Sequence, residues 1–425
     1  MKILWVGNII LPKIYEIKNL ENKNFVGGWL EGMSEALLKL ENVELIYCYP
    51  NYENKQVLEA KRANFSSYGI PMTYIEATKN LDSNSNSIKI FKAILDSKKP
   101  DIIHFWGTEF LYSLEFFKIA KKCGYINRCI VSIQGLVGYY ANHFEADIPY
   151  NVFNSFTLSE LKGHCSLKAL KKSYIFRGKK ETELLKEIKH VIGRTSWDKA
   201  CVKLINPDVK YYKCNESLRE VFYTDSWDYE HCYPYQIFIS QASYPIKGFH
   251  KVLNAVNLIK DVYPNLKIKV AGQNIFKGNF VKGNTYGNYI KKLINRYSLE
   301  KQVIFLDMLS AEEMKRELLK SNLFICPSSI ENSPNSLGEA MLLGVPCIAS
   351  DVGGCGDMLK NNIEGYVYPF NESYKLAYYI KKVFDNPELA LKLGMNASNR
   401  AKLTHNRDIN NNVLYTIYES LLTND

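Results

Sequence analysis

The residues with the clearest chemical potential lie between positions 327 and 346, where an apolar strand is followed by a loop and a helix. Ser333 is predicted to cap this helix, Pro334 to be its first residue and Gly344 to end it. The unpaired amides of the first turn would then point out of the positive end of the helix, where a phosphate binds well. The amides concerned are those of Asn335, Ser336 and Leu337.

Two glutamates flank this helix start. Glu339 lies about six residues beyond the predicted cap, or about 9 Å along the axis, so its carboxylate can reach a ribose while a diphosphate occupies the helix start. The two oxygens of a carboxylate suit the two hydroxyls of a diol, and Glu331 can hold a second diol, that of a sugar. An ion pair or a surface position is the alternative for each. The apolar residues that follow Glu339 favour function, because glutamate is seldom buried without a reason.

Glu331 and Glu339 resemble the E-x7-E motif of retaining GT-B glycosyltransferases of the glycosyltransferase group 1 type, family GT4. Gly344-Val345-Pro346 and the sequence Ser-Asp-Val-Gly-Gly at 350–354 extend the agreement. The resemblance covers the second half of the chain well and the first half loosely. It implies transfer of a hexosyl group, with retention of configuration, from a nucleoside-diphosphate sugar, UDP-sugar being favoured. The acceptor would be a glycan or a lipid-linked molecule in cell-surface polysaccharide or glycolipid synthesis.

The loop at residues 240–248 resembles the R-x-x-x-x-K-G element with which this family holds the donor diphosphate. Lys247 matches the lysine, and the resemblance assigns it a catalytic role beside Glu331. The arginine has no counterpart, because Ala242 stands at its spacing with Gln241 beside it. Gln241 itself is one candidate for contact with the phosphates. The cationic candidates to replace the arginine are Arg194, Arg219 and Lys282.

Gly27 and Gly28 precede a predicted helix in the first half and resemble the glycine-rich loop that faces the donor in this family. Glycine lets a backbone approach a diphosphate closely, and a plain helix-entry turn is the alternative. Gln134 stands where many relatives have a histidine near the donor sugar; it can bind a hydroxyl but cannot transfer protons. His143 is a further candidate, and Asp357 occupies the acidic position after the glycine pair.

The sequence contains no D-x-D pair of the kind that holds a divalent metal in glycosyltransferases of the other common fold. We therefore expect no metal and no cofactor, with the nucleotide-sugar as substrate. The helix dipole and Lys247 would stabilise the leaving diphosphate instead.

Strand-like and helical runs alternate along the whole chain, which predicts an α/β fold with two doubly wound, Rossmann-like domains facing each other across a cleft. The predicted N-terminal, acceptor-side domain covers residues 1–214 and a linker and hinge covers 215–234. The nucleotide-sugar-binding domain covers 235–402, and the helix at 403–425 is expected to cross back to the first domain.

The composition is that of a globular protein, with 46% hydrophobic and 23% charged residues. The ten cysteines are scattered singly, and no apolar stretch approaches 18 residues. These features predict free thiols and a cytoplasmic location. The net charge of +10 favours acidic partners.

Residues 161–180 begin at Leu161 and interleave apolar side chains with basic ones, with no acid among them. The basic residues are Lys162, Lys168, Lys171, Lys172, Arg177, Lys179 and Lys180. A peripheral contact with the inner face of a membrane is one interpretation, and a solvated surface is the other. No nucleic-acid motif accompanies the charge, so nucleic acid is not an expected partner.

Two other functions fit the same sequence. A nucleotide-sugar 2-epimerase shares the two-domain fold. A non-catalytic nucleotide-sugar-binding partner of a polysaccharide assembly complex would tolerate the missing arginine.

Overall fold

The computed structural model describes residues 1–20, 28–276 and 283–423, and it divides into two compact units. The first unit comprises Met1–Ala141, Ser173–Ser217 and His405–Asp425, and the second comprises Asn142–Lys172 and Leu218–Thr404. The division differs from the boundaries expected from the sequence. Residues 142–172 belong to the second unit rather than to the expected N-terminal domain, and the expected linker is divided after Ser217.

The first unit contains an eight-stranded sheet within the described residues. Its order is β3-β4-β2-β1-β5-β6-β7-β8, and every neighbouring pair is parallel except the antiparallel β3–β4 pair. Strands such as β5 are buried along their whole length, as expected for a sheet covered on both faces. The strands are β1 Lys2–Val6, β2 Glu44–Asn51, β3 Leu58–Arg62, β4 Phe65–Pro71, β5 Ile102–Trp106, β6 Cys129–Ser132, β7 His190–Gly193 and β8 Lys210–Lys213.

The second unit contains a six-stranded parallel sheet within the described residues, in the order β11-β10-β9-β12-β13-β14. Each of its strands overlaps one of the apolar runs of the second half of the sequence. The strands are β9 Tyr233–Ile239, β10 Lys267–Val270, β11 Val303–Phe305, β12 Ser321–Cys326, β13 Cys347–Ser350 and β14 Tyr366–Tyr368. The predicted fold class, two Rossmann-like α/β domains, is confirmed by these two sheets.

Helices connect the strands in both units. Those before β9 are α1 Pro12–Ile17, α2 Gly28–Leu38, α3 Tyr74–Thr78, α4 Asn86–Lys98, α5 Leu111–Lys122, α6 Val137–Tyr140, α7 Tyr150–Asn154, α8 Leu158–Lys162, α9 Leu167–Glu187 and α10 Ser196–Ile205. Those after β9 are α11 Phe249–Asn257, α12 Thr285–Arg296, α13 Ala311–Leu319, α14 Asn335–Leu343, α15 Cys355–Met358, α16 Ser373–Phe384, α17 Pro387–Thr404 and α18 Arg407–Thr423.

The last helix, α18, lies in the first unit and joins its core through a chain of buried hydrogen bonds. Trp5 Nε1 donates to the hydroxyl of Tyr418 at 2.9 Å, and that hydroxyl is 2.6 Å from Nδ1 of His104. The other ring nitrogen of His104 is 2.7 Å from the hydroxyl of Ser132. Burial lowers the pKa of His104, so the ring is neutral and the chain links α18 to β1, β5 and β6 without buried charge.

Residues 142–172, which we name the arm, pack against helices α11 and α12 of the second unit. His250 Nε2 lies 2.7 Å from the carbonyl oxygen of Ala146, and Lys251 pairs with Asp147 at 2.8 Å. Glu160 of the arm accepts hydrogen bonds from the amide and the hydroxyl of Thr285 at the start of α12. The arm is therefore held by polar contacts with buried partners, which explains its place in the second unit.

His250 should make the stability of the protein depend on pH. Burial, aided by the charge of Lys251 and opposed by the Ala146 carbonyl, lowers the pKa of His250 from 6.5 to about 4. The folded-state pKa lies below the unfolded one, so the stability from neutral His250 is complete above pH 6.5 and is lost as the pH falls towards 4. Between pH 7 and pH 5 we expect a loss of about 2 kcal/mol from this residue.

The measurement is urea unfolding from pH 7 to pH 5 for the wild type and His250→Gln, whose amide can donate to Ala146 but does not titrate. The variant should lose less free energy of unfolding over this range. His231→Gln, which changes an exposed histidine, serves as the control. Equal losses in wild type and His250→Gln would contradict the assignment.

Candidate functional site

The loop between β12 and α14 carries Glu331, and its carboxylate is paired with Lys247. Lys247 Nζ donates to Oε1 of Glu331 at 2.6 Å, and the hydroxyl of Ser328 donates to the same oxygen at 2.8 Å. Within the described part of the chain, Oε2 of Glu331 has no hydrogen-bond partner. One oxygen therefore holds the cation, and the other can accept a hydrogen bond from a ligand.

Lys247 keeps its charge although it is largely enclosed. Burial lowers its pKa, but the charge of Glu331 and the hydrogen bond to it outweigh burial and hold the pKa well above its usual range. The next residue, Gly248, has φ +66°, and a Cβ there would lie 1.8 Å from the carbonyl oxygen of Pro327. Only glycine lets the loop after β9 approach the loop after β12 closely enough for the pair to form.

Helix α14 begins at Asn335, with Pro334 as its N-cap, so the expected cap at Ser333 is wrong by one residue. The physical reason is that the Ser333 hydroxyl points to the sulfur of Met358, at 3.5 Å, rather than to the helix amides. Leu337 N donates to the carbonyl of Pro334 at 3.0 Å and so is not available to a ligand. The amides of Asn335 and Ser336 have no partner among the described residues.

The loop after β9 also reaches the start of α14. The hydroxyl of Ser240 donates to that of Ser336 at 3.1 Å, and the side-chain amide of Gln241 donates to Ser243 at 3.0 Å. Glu331, Lys247, Gln241 and the first turn of α14 therefore come together at the carboxyl ends of β9 and β12, where open α/β sheets bind ligands.

Glu339, on the second turn of α14, accepts two hydrogen bonds from Arg219. The Nε and Nη2 atoms of Arg219 each lie 2.7 Å from one carboxylate oxygen. Glu339 is only 3% exposed. Burial raises the pKa of Glu339, and the charge of Arg219 opposes that rise. Both oxygens expected to take a ribose diol are thus engaged by a cation, and the ribose contact stays a prediction.

The glycine pair after β13 supports the backbone of Glu331. Gly354 N donates to the carbonyl oxygen of Glu331 at 3.0 Å. Gly353 has φ +53°, and a Cβ there would lie 1.8 Å from that oxygen. Asp357 follows in α15, and its carbonyl accepts from Arg400 at 3.1 Å. Gly353 must be glycine because two loops meet there through their backbones.

The donor residues expected in the first half of the sequence stay predictions, and the structure shows the contacts that Gln134 and Arg194 make. The side-chain amide of Gln134 donates to Glu216 at 2.6 Å, and Arg194 donates to the other oxygen of Glu216 at 2.5 Å. This cluster is in the first unit and is mostly buried. Gly28 begins α2, and Gly27 and Lys282 lie outside the described residues. The carbonyl of His143, in the arm, accepts from Ser329.

A pair of carboxyl groups in the first unit was missed by the sequence analysis. Burial raises the pKa of both Glu109 and Glu181 to about 7. Glu181 accepts from the hydroxyl of Thr108 at 2.6 Å and from the amide of Gly138 at 3.0 Å. The available signal was the position of Glu109, three residues after the end of β5. Near neutral pH such carboxyls can either donate or accept a hydrogen bond.

Among residues 1–20, 28–276 and 283–423, no group of three or more histidine, cysteine, aspartate or glutamate side chains could hold a metal ion. In the same part of the chain, no helix combines the length and the apolar character that crossing a bilayer requires.

Replacing Gly353 by alanine should disturb the site more than backbone strain alone would. The added Cβ must push against the Glu331 carbonyl, so we expect a loss of stability of about 1–3 kcal/mol beyond the strain, together with weaker ligand binding at Glu331. Gly124→Ala is the matched control, because Gly124 has φ +87° but no heavy atom within 4 Å of an added Cβ. Urea unfolding compares the two variants, and equal losses would contradict the close contact.

Comparisons with known proteins identify what the sequence and the fold are similar to. Residues 231–400 match the family model described as glycosyl transferases group 1. YtcC of Bacillus subtilis, named as a glycosyltransferase, is 28% identical over 182 residues, or 42% of this chain and 44% of that protein. The amylovoran biosynthesis glycosyltransferase AmsK of Erwinia amylovora is 25% identical over 138 residues, or 31% and 34%. The matched region covers less than half the length of these relatives.

Solved structures extend the similarity in fold to nearly the whole chain. Sucrose-phosphate synthase from Thermosynechococcus elongatus superimposes with a TM-score of 0.74 at 14% identity, covering 100% of both chains. HepE of Anabaena, solved in complex with UDP-glucose, superimposes with a TM-score of 0.66 at 15% identity, covering 99% of this chain and 100% of HepE. The chain therefore has the GT-B fold, and its residues 231–400 resemble a glycosyltransferase group 1 domain.

Proposed function

We propose that this protein transfers a hexosyl group from a UDP-sugar to a glycan or lipid-linked acceptor with retention of configuration. The observation that carries the proposal is the Lys247–Glu331 pair beside the free amides of Asn335 and Ser336. This arrangement lies within the region that matches glycosyl transferases group 1. It offers a cation and helix amides for a diphosphate and a carboxylate oxygen for a sugar hydroxyl.

The donor follows from the chemistry of the site together with its neighbours in fold. HepE has been solved with UDP-glucose, and TarM of S. aureus has been solved with UDP. AmsK is named for amylovoran biosynthesis. These names support a UDP-sugar donor and a role in polysaccharide or glycolipid synthesis.

The proposed roles of the residues follow from where charge changes during transfer. The bond between the anomeric carbon and the phosphate oxygen breaks, and the departing diphosphate takes its electrons. The Asn335 and Ser336 amides and Lys247 stabilise that charge, because fixed donors need no reorganisation as the charge develops. The free oxygen of Glu331 binds and orients the sugar. The acceptor hydroxyl oxygen bonds to the same carbon from the face that the diphosphate leaves, and its proton passes to the departing phosphate oxygen. No metal is required.

Replacing Lys247 by glutamine should lower kcat on the order of a hundred-fold or more, because a fixed charge on the leaving group is lost. Transfer is measured as UDP release and glycoside formation with a panel of acceptors, in the presence of EDTA. Lys315→Gln is the control. Lys315 is a similarly enclosed lysine that forms a 2.7 Å ion pair with Asp225, and this pair is not part of the site.

Unchanged turnover in Lys247→Gln would contradict the proposed role of Lys247. Loss of wild-type activity in EDTA would contradict the metal-free mechanism. Inversion at C2 of the free UDP-sugar, without transfer, would identify an epimerase instead. Binding without hydrolysis or transfer would indicate a non-catalytic partner. The anomeric configuration of the product, read by NMR, tests retention.

Membrane contact is the second part of the proposal, and it rests on the outward face of the arm. In α8, Leu158 is 57% and Leu161 54% exposed, and they lie on the face opposite Glu160, which is buried against Thr285. Phe156 precedes them and is 57% exposed. An apolar surface of this kind beside free cations suits an anionic lipid surface.

The structure shows which basic residues between positions 161 and 180 are free to contact a lipid surface. Lys171 pairs with Glu145 at 2.6 Å, Lys180 pairs with Glu183 at 2.6 Å, and Arg177 is buried. Three other lysines of the arm have no ion-pair partner among the described residues, and all are exposed. They are Lys162, Lys168 and Lys172.

Wild-type protein should sediment with phosphatidylglycerol vesicles and much less with phosphatidylcholine vesicles, and the binding should weaken with salt. The double variant Leu158→Ser/Leu161→Ser should lose most of this binding. Leu391→Ser/Leu403→Ser, which changes two leucines of α17 that are also exposed, should bind as wild type does. Equal sedimentation of both double variants, or none by the wild type, would exclude the arm as a membrane contact.

A further inference from the structure

Arg219 is the residue whose surroundings the sequence analysis did not foresee. We propose that Arg219 is the second cation of the donor-diphosphate site and that Glu339 is the positioning residue that holds it there. The inference rests on the proposed function, because it assigns a residue to the diphosphate of the nucleotide-sugar.

The guanidinium of Arg219 is fixed on two sides. Two parallel hydrogen bonds of 2.7 Å join it to the two oxygens of Glu339. Its central carbon also lies 4.8 Å from the ring centroid of Phe222. Bidentate pairing sets the plane of the guanidinium as well as its distance. A side chain held in this way loses little further freedom when a ligand binds.

Part of the guanidinium remains available to a ligand. The two bonds to Glu339 use Nε and one hydrogen of Nη2, and guanidinium has five N–H donors. In the part of the chain that the structure describes, Nη1 of Arg219 has no hydrogen-bond partner and is not a buried unpaired atom. The side chain is 18% exposed. Arg219 therefore presents N–H groups at the surface of the second unit.

The geometry of α14 indicates on which side of the helix these N–H groups lie. Glu339 is four residues after Asn335, which is about 6 Å along the axis of α14. Helical side chains tilt towards the N-terminus of their helix, so the Glu339 carboxylate lies over the first turn. Arg219, bound to that carboxylate, is brought to the same end of the helix as the amides of Asn335 and Ser336.

The two glutamates of the site have matching partners. Glu331 holds Lys247 through one oxygen, and Glu339 holds Arg219 through both. Each cation is held in place by its carboxylate, with spare donors left over. Because Glu339 is almost completely buried, Arg219 is the member of its pair that can reach a ligand. This arrangement supplies the cation that the loop at residues 240–248 lacks.

Other roles for the pair of Arg219 and Glu339 lead to different expected results. If Arg219 only blocked Glu339 and had to leave before a ribose could bind, its removal would tighten binding. If the pair only stabilised the fold, its removal would lower stability and leave the affinity for UDP unchanged.

The test compares the affinities of UDP and uridine, measured by calorimetry, for the wild type, Arg219→Gln and Arg219→Lys. Loss of a charge-assisted contact should weaken UDP binding by on the order of ten- to a hundred-fold in Arg219→Gln. Uridine, which lacks phosphates, should bind unchanged, and Arg219→Lys should recover part of the UDP affinity. Glu339→Gln should also reduce the ratio of UDP to uridine affinity, by releasing the guanidinium.

Arg296→Gln is the matched control, because Arg296 lies over the ring of Tyr297 in the same unit but has no part in the site. Thermal unfolding shows whether each variant is folded, and Arg219→Lys keeps the test available if Arg219→Gln is not. Unchanged or tighter UDP binding by the folded Arg219 variants would overturn the inference while leaving the proposed function intact. Failure of the wild type to bind UDP would overturn both.

Discussion

The ion pair between Lys247 and Glu331 is the interaction on which the site of the second unit depends. It joins the loops that follow β9 and β12, which are neighbouring strands of one parallel sheet. An enclosed ion pair is retained at acceptable cost only when further hydrogen bonds satisfy it, and Ser328 supplies one. The pair therefore keeps a charged lysine at the edge of the sheet where ligands of α/β proteins bind.

Close backbone contacts make this pairing possible. Gly248 meets the carbonyl of Pro327, and Gly353 meets the carbonyl of Glu331, each at a distance that excludes a Cβ atom. Three loops, those after β9, β12 and β13, thus touch through their main chains. These contacts set the separation of the backbone segments that carry Lys247 and Glu331. The glycines near the motif are part of its geometry.

The polar clusters of the two units differ in their exposure to solvent. In the first unit, Arg194, Glu216 and Gln134 bond to one another in a largely buried cluster. The hydrogen-bonded chain from Trp5 to Ser132 likewise stays in the core and holds the last helix. In the second unit, the carboxylates hold cations whose remaining donors reach the surface. The free donors of Lys247 and Arg219 are therefore available to a ligand.

The sequence by itself determined the alternation of strands and helices, the place of Lys247 in the loop at residues 240–248 and the start of α14 to within one residue. These features follow from local periodicity, turn residues and the spacing of a motif. It did not reveal the β3–β4 pair, whose turn at residues 63–64 lacks glycine. Only the tertiary structure decided that Arg219 meets Glu339, 120 residues away, and that the arm packs with the second unit. Contacts between residues so distant depend on how all the intervening elements pack, which no local pattern encodes.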